Sequence, residues 1–298
     1  MSEHILLTGG TGFVGRSLIP KLLLGGHTVT VLTRQHKTDL KEVKVIHRLP
    51  QGTKADYWPY TVVVNLAGEN LFTKRWSTKQ KQTIRDSRIA LTENLVDNIH
   101  KSQCVKRFIS ASAIGYYGAR DNETLNEQGQ AGSDFAATLC KDWEAAAQKA
   151  SVSTDVICLR LGVVLGSGGA LENLLPPFRL GLGGPIGHGK QWFSWIHIDD
   201  LTNLIMACVE GQISAPVVNA TAPQPVQNRD FAKALGHCLK RPAILPMPAL
   251  AMKLLLGEVS SLLTTGQRVI PEVAQAQGFS FRYPDIDSAL TDLLEKRK

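Results

Sequence analysis

Apolar positions divide this chain into short runs of strand character alternating with longer stretches of helical spacing. Residues 5–8 (ILLT) form a compact, largely apolar run. Phe13, Val14, Leu18, Ile19, Leu22 and Leu23 then recur at the spacing of one helix face, and 28–32 returns to a strand pattern. Further strands are predicted at 43–47, 60–66, 105–112 and 155–161. The run at 60–66 (YTVVVNL) is apolar almost without interruption, as a strand covered on both faces requires. A basic helix is predicted over 78–101 with Ser77 as its cap, and another over 133–150 opened by Ser133.

This alternation calls for a parallel sheet with helices on both faces. The fold class is therefore α/β, a doubly wound Rossmann architecture with ligands at the carboxyl ends of the strands. The texture changes beyond Gly162. Glycine and proline crowd into 176–189 (PPFRLGLGGPIGHG). Helical segments follow at 200–210 (capped by Asp199), 229–239 and 247–256, with a last helix over 285–298. The expected division is a dinucleotide-binding domain over 1–165 and a smaller α/β lobe over 166–298 that closes over the bound molecule. Parts of that lobe are free to return to the main sheet.

With 298 residues and 43% hydrophobic content, the chain can bury a sizeable core. No stretch reaches about 18 uninterrupted apolar residues, so no membrane span is predicted and no membrane partner is expected. The first strand leads straight into a glycine turn, without the pattern of an export signal. Five cysteines (104, 140, 158, 208 and 238) lack C-x-x-C spacing. They read as reduced thiols of a cytoplasmic protein, and no metal site is expected. Net charge is +7, a balance that suits nucleic acid or an anionic membrane surface, with the densest basic cluster running from Lys74 to Lys81 and on to Arg85 and Arg88. That cluster reads as a solvated helix face or as a nucleic-acid patch. Steering of a polyanionic cofactor and an anionic small-molecule substrate suits the N-terminal motif better, so no nucleic-acid partner is expected. A monomer or a homodimer is compatible with all of this.

The chemistry begins after the first strand, where Gly9, Gly12 and Gly15 stand at G-x-x-G-x-x-G spacing. Such glycines make a tight turn, let the backbone approach a pyrophosphate, and pack the helix close to the strand. The helix N-terminus then offers free N–H groups. Gly9, Thr11, Gly12, Phe13, Val14 and Gly15 are the expected cradle. An NAD site usually ends the second strand with an acid about 20 residues beyond the glycines. Here Thr33 and Arg34 stand at that end, with Lys37 nearby. Arg34 can fork onto a 2′-phosphate with the Thr33 hydroxyl beside it, so NADP is expected over NAD. A solvated basic loop is the alternative.

TGGTGFVG at 8–15 is accompanied by NLAGEN at 65–70, RW at 75–76, SASAIGYYG at 110–118 and KDWEAAA at 141–147. RLGVVLG at 160–166, PPFRLGLGGPIG at 176–187 and WIHIDDL at 195–201 follow. Through these motifs the chain resembles the extended short-chain dehydrogenase/reductase superfamily, in particular its nucleoside-diphosphate-sugar epimerase branch with a small C-terminal extension. The resemblance implies an NADP-type cofactor contacted by Leu66, Ala67 and Gly68 at the end of the fourth strand, and by Arg88 and Arg160. It also implies a Ser or Thr that binds the reacting oxygen, a Tyr that passes the proton, and a Lys four residues after that Tyr. Ser112 fits the first role and Lys141 the third. Ala137 stands where the Tyr belongs, and a methyl group transfers no proton.

Tyr117, beside Tyr116 on the loop after Ser112, is the substitute candidate, with His188 and His197 as alternatives. Taken without the resemblance, His197 reads as a structural histidine, Arg88 as a surface charge and Arg160 as an ion-pair partner. The loop at 176–195, with Arg179, His188, Lys190, Trp192 and Trp195, is the natural substrate wall or else a packed crossover. Two functions remain open. One is an NADP-dependent oxidoreductase or epimerase acting on an anionic small molecule, a nucleotide sugar among the candidates. The other is a non-catalytic NADP-binding sensor or regulator without proton transfer.

Overall fold

β1 (His4–Thr8), α1 (Phe13–Leu24) and β2 (Thr28–Leu32) form the strand–helix–strand unit that the apolar pattern predicts. The structure, a computed structural model, describes residues 2–50, 58–102 and 104–295. β3 (Lys44–Ile46), β4 (Val62–Asn65), β5 (Arg107–Ala113) and the strands Asp155–Leu161 and Val217–Ala220 complete a 7-stranded sheet. Its order is Val217–Ala220, Asp155–Leu161, β5, β4, β1, β2, β3, and every neighbouring pair is parallel. The order reverses between β1 and β4, which opens a crevice at their carboxyl ends.

Successive strand residues point to opposite faces. Ile5 and Leu7 join Leu18 and Leu22 of α1 and Ile205 of helix Ile198–Val209. Leu6 joins Leu95 and Ile99 of α3 (Ile89–Ser102) on the other face, where Ala147 of α4 (Phe135–Gln148) also packs. Each fully buried Ile or Leu contributes roughly 1.5–3 kcal/mol. Among the described residues no helix is long and apolar enough to cross a membrane.

The structure departs from the sequence reading at several joints. The helix expected over 78–101 is two, α2 (Thr78–Asp86) and α3. The break serves the loop after β4: Ser87 Oγ accepts from Glu69 N at 3.0 Å and Arg88 turns toward the same loop. Ser77 caps α2 as expected, accepting from Gln80 N at 3.2 Å. α4 is capped by Asp134 rather than Ser133, through Ala137 N at 2.8 Å. His197, not Asp199, caps helix Ile198–Val209, its Nδ1 accepting from Asp199 N at 3.0 Å. The last helix runs Ile286–Glu295, and the expectation for 296–298 lies outside the described residues.

A second core gathers Leu171, Leu175, Phe178, Trp195, Phe231 and Leu290 from helices Gly169–Arg179, Asn228–Leu239 and Ile286–Glu295 and the strand Trp195–His197. The two halves are nevertheless interleaved. Val217–Ala220, from the second half, pairs with Asp155–Leu161 of the first. Lys81 meets Glu258 at 2.7 Å, and the Arg75 guanidinium donates to Leu254 O.

Candidate cofactor and active site

The glycine turn is built by contact. Gly9 has φ +72°, and a Cβ there would stand 2.7 Å from the Leu66 carbonyl carbon. At Gly15 a Cβ would stand 2.4 Å from Gly9 O. The β1 turn, the first turn of α1 and the end of β4 are thus pressed together, closer than side chains permit. Gly12, exposed at the N-cap of α1, makes no side-chain cap bond, and the first turn holds no acid. Gly12 N donates to Gly9 O at 2.9 Å, and no side chain caps the helix end that follows, an arrangement suited to a pyrophosphate. Cβ atoms at Gly166 and Gly168 would lie 2.5 and 3.0 Å from the Phe13 ring. Phe13 and Val14 therefore have packed side chains and offer only their backbone to a ligand. Thr11 O accepts from Arg16 Nε at 3.0 Å, and Arg16 forks onto Asp39 at 2.6 and 3.0 Å.

Past β2, the Arg34 side chain is 89% exposed and only loosely paired, 4.0 Å from Glu69. Thr33 is buried, and its hydroxyl accepts from Gln35 N at 3.1 Å, so it shapes the loop. The end of β4 is fixed by a polar chain. Thr8 Oγ1 donates to Asn65 Oδ1 at 2.6 Å and accepts from Ala67 N at 3.2 Å. Asn65 Nδ2 donates to Thr92 Oγ1 at 2.9 Å, which also accepts from Trp143 Nε1 at 3.0 Å. Arg88 supports Leu66, Ala67 and Gly68 from behind. It donates to Glu69 O at 3.0 Å, lies 5.3 Å from the Trp143 ring centre, and would meet a Cβ at Gly68 at 2.8 Å. Burial pulls its guanidinium below the usual range, with Cys140 and Glu69 opposing.

The proposed catalytic hydroxyls are elsewhere. Ser112, Arg160 and Asn219 are register partners across three strands. Ser112 Oγ donates to Glu144 Oε1 at 2.6 Å. Arg160 Nε and Nη2 donate to the two Glu144 oxygens, both at 2.8 Å. Arg160 Nη1 donates to Tyr117 Oη at 3.0 Å, and Tyr117 Oη meets Asn219 Oδ1 at 2.7 Å. Ser112, Tyr117 and Arg160 are 1%, 0% and 3% exposed. The structure places all three expected residues in one buried polar network, with Ser112 and Arg160 bonded to Glu144 and Tyr117 to Asn219 and Arg160, rather than on an open wall of the crevice. Strand parity is the reason, because it turns Ser112 and Arg160 onto the face covered by α4. Burial alone would lower the Arg160 pKa, but its bonds to Glu144 outweigh that and the net shift is upward. Burial pushes the Tyr117 phenol up, with Arg160 opposing.

Lys141, exposed on α4, is the only one of the three expected catalytic side chains with access to solvent, and Ala137 is buried. Glu144, Asn219 and Glu127 escaped the sequence reading. A signal existed for Glu144, since it continues the buried stripe Ala137, Cys140, Ala147 and so needs a buried cation. Glu127 Oε1 accepts from Asn219 N at 3.0 Å and Val273 N at 3.2 Å, and burial pushes its carboxyl up. Of the expected substrate wall, Trp195 lies wholly in the second core. Trp192 is half-buried, donates to Asn122 Oδ1 at 2.9 Å and lies 4.7 Å from the Arg268 guanidinium. Arg179, His188 and Lys190 are exposed.

Residues 5–219 match the NAD dependent epimerase/dehydratase family, and residues 247–293 match a domain of unknown function, DUF1731. The epimerase family protein SDR39U1 homolog of Arabidopsis thaliana, described as chloroplastic, is 39% identical over 302 residues, covering 98% of this chain and 86% of that protein. Epimerase family protein YfhF of Bacillus subtilis is 37% identical over 302 residues, covering 99% of each. The crystal structure of human epimerase family protein SDR39U1 (isoform 2) with NADPH superposes with a TM-score of 0.88 at 34% identity, covering 98% of this chain and 99% of that one.

Proposed function

The chain belongs to the NAD dependent epimerase/dehydratase family, and from that premise we propose that it binds NADP(H) and reduces a small anionic carbonyl compound rather than epimerising a sugar. The observation that carries the cofactor assignment is the uncapped, acid-free N-terminus of α1 beside the glycine turn, with Arg34 exposed and only loosely paired to Glu69 at the end of β2. NADPH in the human relative supports it. When bound, the dinucleotide supplies or accepts a hydride at its nicotinamide ring. The turn from Gly9 to Gly15 and the first N–H groups of α1 hold the pyrophosphate. Arg34 exchanges its long pair with Glu69 for charge-assisted bonds to the 2′-phosphate. The backbone of Leu66, Ala67 and Gly68 borders the adenosine side, kept in place by Arg88. Lys141 holds ribose hydroxyls.

Epimerisation needs a side chain that removes a proton and returns it. Ser112 and Tyr117 are committed to Glu144 and Asn219, and Ala137 carries no proton. Water must then supply the proton, which suits one-way reduction of an activated carbonyl. A nucleotide sugar remains a candidate substrate. Five free cysteines suit a cytoplasmic setting. The buried hydroxyls also favour the second reading, a non-catalytic NADP(H) sensor.

Calorimetry with NADPH and NADH, on wild type and Arg34→Ser, tests the cofactor. A charged hydrogen bond is worth about 1.5–3 kcal/mol, so NADPH should bind roughly 10- to 100-fold tighter than NADH and Arg34→Ser should erase the difference. Equal affinities in the wild type would refute the assignment. NADPH oxidation against a panel of anionic carbonyl compounds separates reductase from sensor, because a sensor oxidises none.

A further inference from the structure

The stretches 173–198 and 231–257 contain no Asp or Glu. They run side by side. Leu245 N donates to Gly183 O at 3.3 Å, Met247 N to Pro185 O at 2.9 Å, and Arg241 Nε to Arg179 O at 3.1 Å. A Cβ at Gly184 would stand 2.1 Å from Leu245 O, so the two segments are in close contact. Helix Ala249–Leu256 continues the second stretch and turns Met252 inward. Outward stand Leu180 (74% exposed), Leu182 (60%), Ile244 (77%), Leu245 (48%), Leu250 (68%) and Leu254 (67%). Leu250 and Leu254 lie one turn apart on one helix face. The exposed charges interspersed with them, Arg179, Lys240, Arg241 and Lys253, are all cationic.

A contiguous apolar patch of this kind marks an interaction surface. The charge pattern selects the partner. Apolar side chains interspersed with cations, the flanking Glu258 being paired to Lys81, complement a bilayer with anionic headgroups: the leucines enter the acyl boundary while Lys and Arg meet phosphate. A second copy is disfavoured, because a two-fold contact through this patch sets four cations against their own symmetry mates. We propose that this face docks the protein peripherally on an anionic lipid surface. The sequence expectation of no membrane partner rested on the missing span, and a span is not needed here.

Cosedimentation of the full chain with vesicles of phosphatidylcholine, with and without phosphatidylglycerol, tests this at low and high salt. Binding is expected on the mixed vesicles, falling with salt and nearly absent on phosphatidylcholine alone. Leu250→Ser with Leu254→Ser should weaken partitioning at least about tenfold through lost apolar burial. Lys240→Glu with Lys253→Glu should do so by a similar factor, at about fivefold or more per cation. Both pairs alter exposed side chains, and unchanged circular dichroism and NADPH uptake would verify the fold. The proposal is overturned if wild type ignores the mixed vesicles, or if the leucine variant binds them equally. It is also overturned if the same leucine changes instead abolish a concentration-dependent dimer in sedimentation velocity.

Discussion

Replacing Glu144 by leucine puts the buried network to the test. The Glu144 carboxylate takes a bond from Ser112 Oγ at 2.6 Å and two from Arg160 at 2.8 Å, with side chains 4% (Arg160) and 9% (Glu144) exposed. Leucine removes all three and leaves a guanidinium in the interior with Tyr117 and Glu127 O as its hydrogen-bond partners. Breaking one side of a buried ion pair costs about 3–5 kcal/mol, and the stranded Ser112 hydroxyl adds about 1 kcal/mol. The expected loss is therefore about 4–6 kcal/mol. Glu144→Leu with Arg160→Met removes both charges and should lie within about 2 kcal/mol of wild type, a favourable coupling of several kcal/mol. Urea unfolding at neutral pH reads both values by linear extrapolation. A loss under about 1 kcal/mol for Glu144→Leu, or a double variant at least as unstable as that single one, would refute the buried-pair argument.

Three further outcomes are expected. Gly15→Ala places a methyl 2.4 Å from Gly9 O and 2.6 Å from Gly10 Cα, so calorimetry should show NADPH affinity reduced by about tenfold to a hundredfold, and unchanged affinity would contradict the cradle. Burial pushes the Cys140, Cys158 and Cys208 thiols up to about 12, so iodoacetamide in mildly alkaline buffer should label exposed Cys104 in the native protein and spare those three, as read by mass spectrometry. Burial raises the Glu127 carboxyl above its ordinary 4.5 in the folded state, so its stabilising contribution is complete below that value and lost as pH rises through the raised one. Glu127→Gln does not titrate, and its melting temperature relative to wild type should climb from acid to neutral pH, whereas a flat difference would argue against the shift.

Much of the cofactor half was legible in residue order. The bounds of β2 and Asp155–Leu161 and the cradle glycines follow from local pattern, because close approach at Gly9 and Gly15 leaves no room for a side chain. Catalysis was less legible for a geometric reason. A sequence places Ser112 at a strand end but does not say which face of the sheet α4 covers, and that decides whether the hydroxyl meets solvent or Glu144. The caps at Asp134 and His197 were missed by one or two positions, since each neighbourhood offers several capping residues and only the turn geometry selects among them. Val217–Ala220 is four residues long behind a proline, and its pairing with Asp155–Leu161 is a long-range contact that no local period announces.

That strand governs how the protein can be cut. A fragment stopped near residue 165 would lack Val217–Ala220, baring the backbone groups of Cys158–Leu161 along a fresh rim and stripping Tyr117 of its Asn219 amide. Such a rim recruits other chains. Truncations and chimaeras that respect the polypeptide's apparent midpoint should precipitate, while a junction placed after residue 223 keeps the sheet whole.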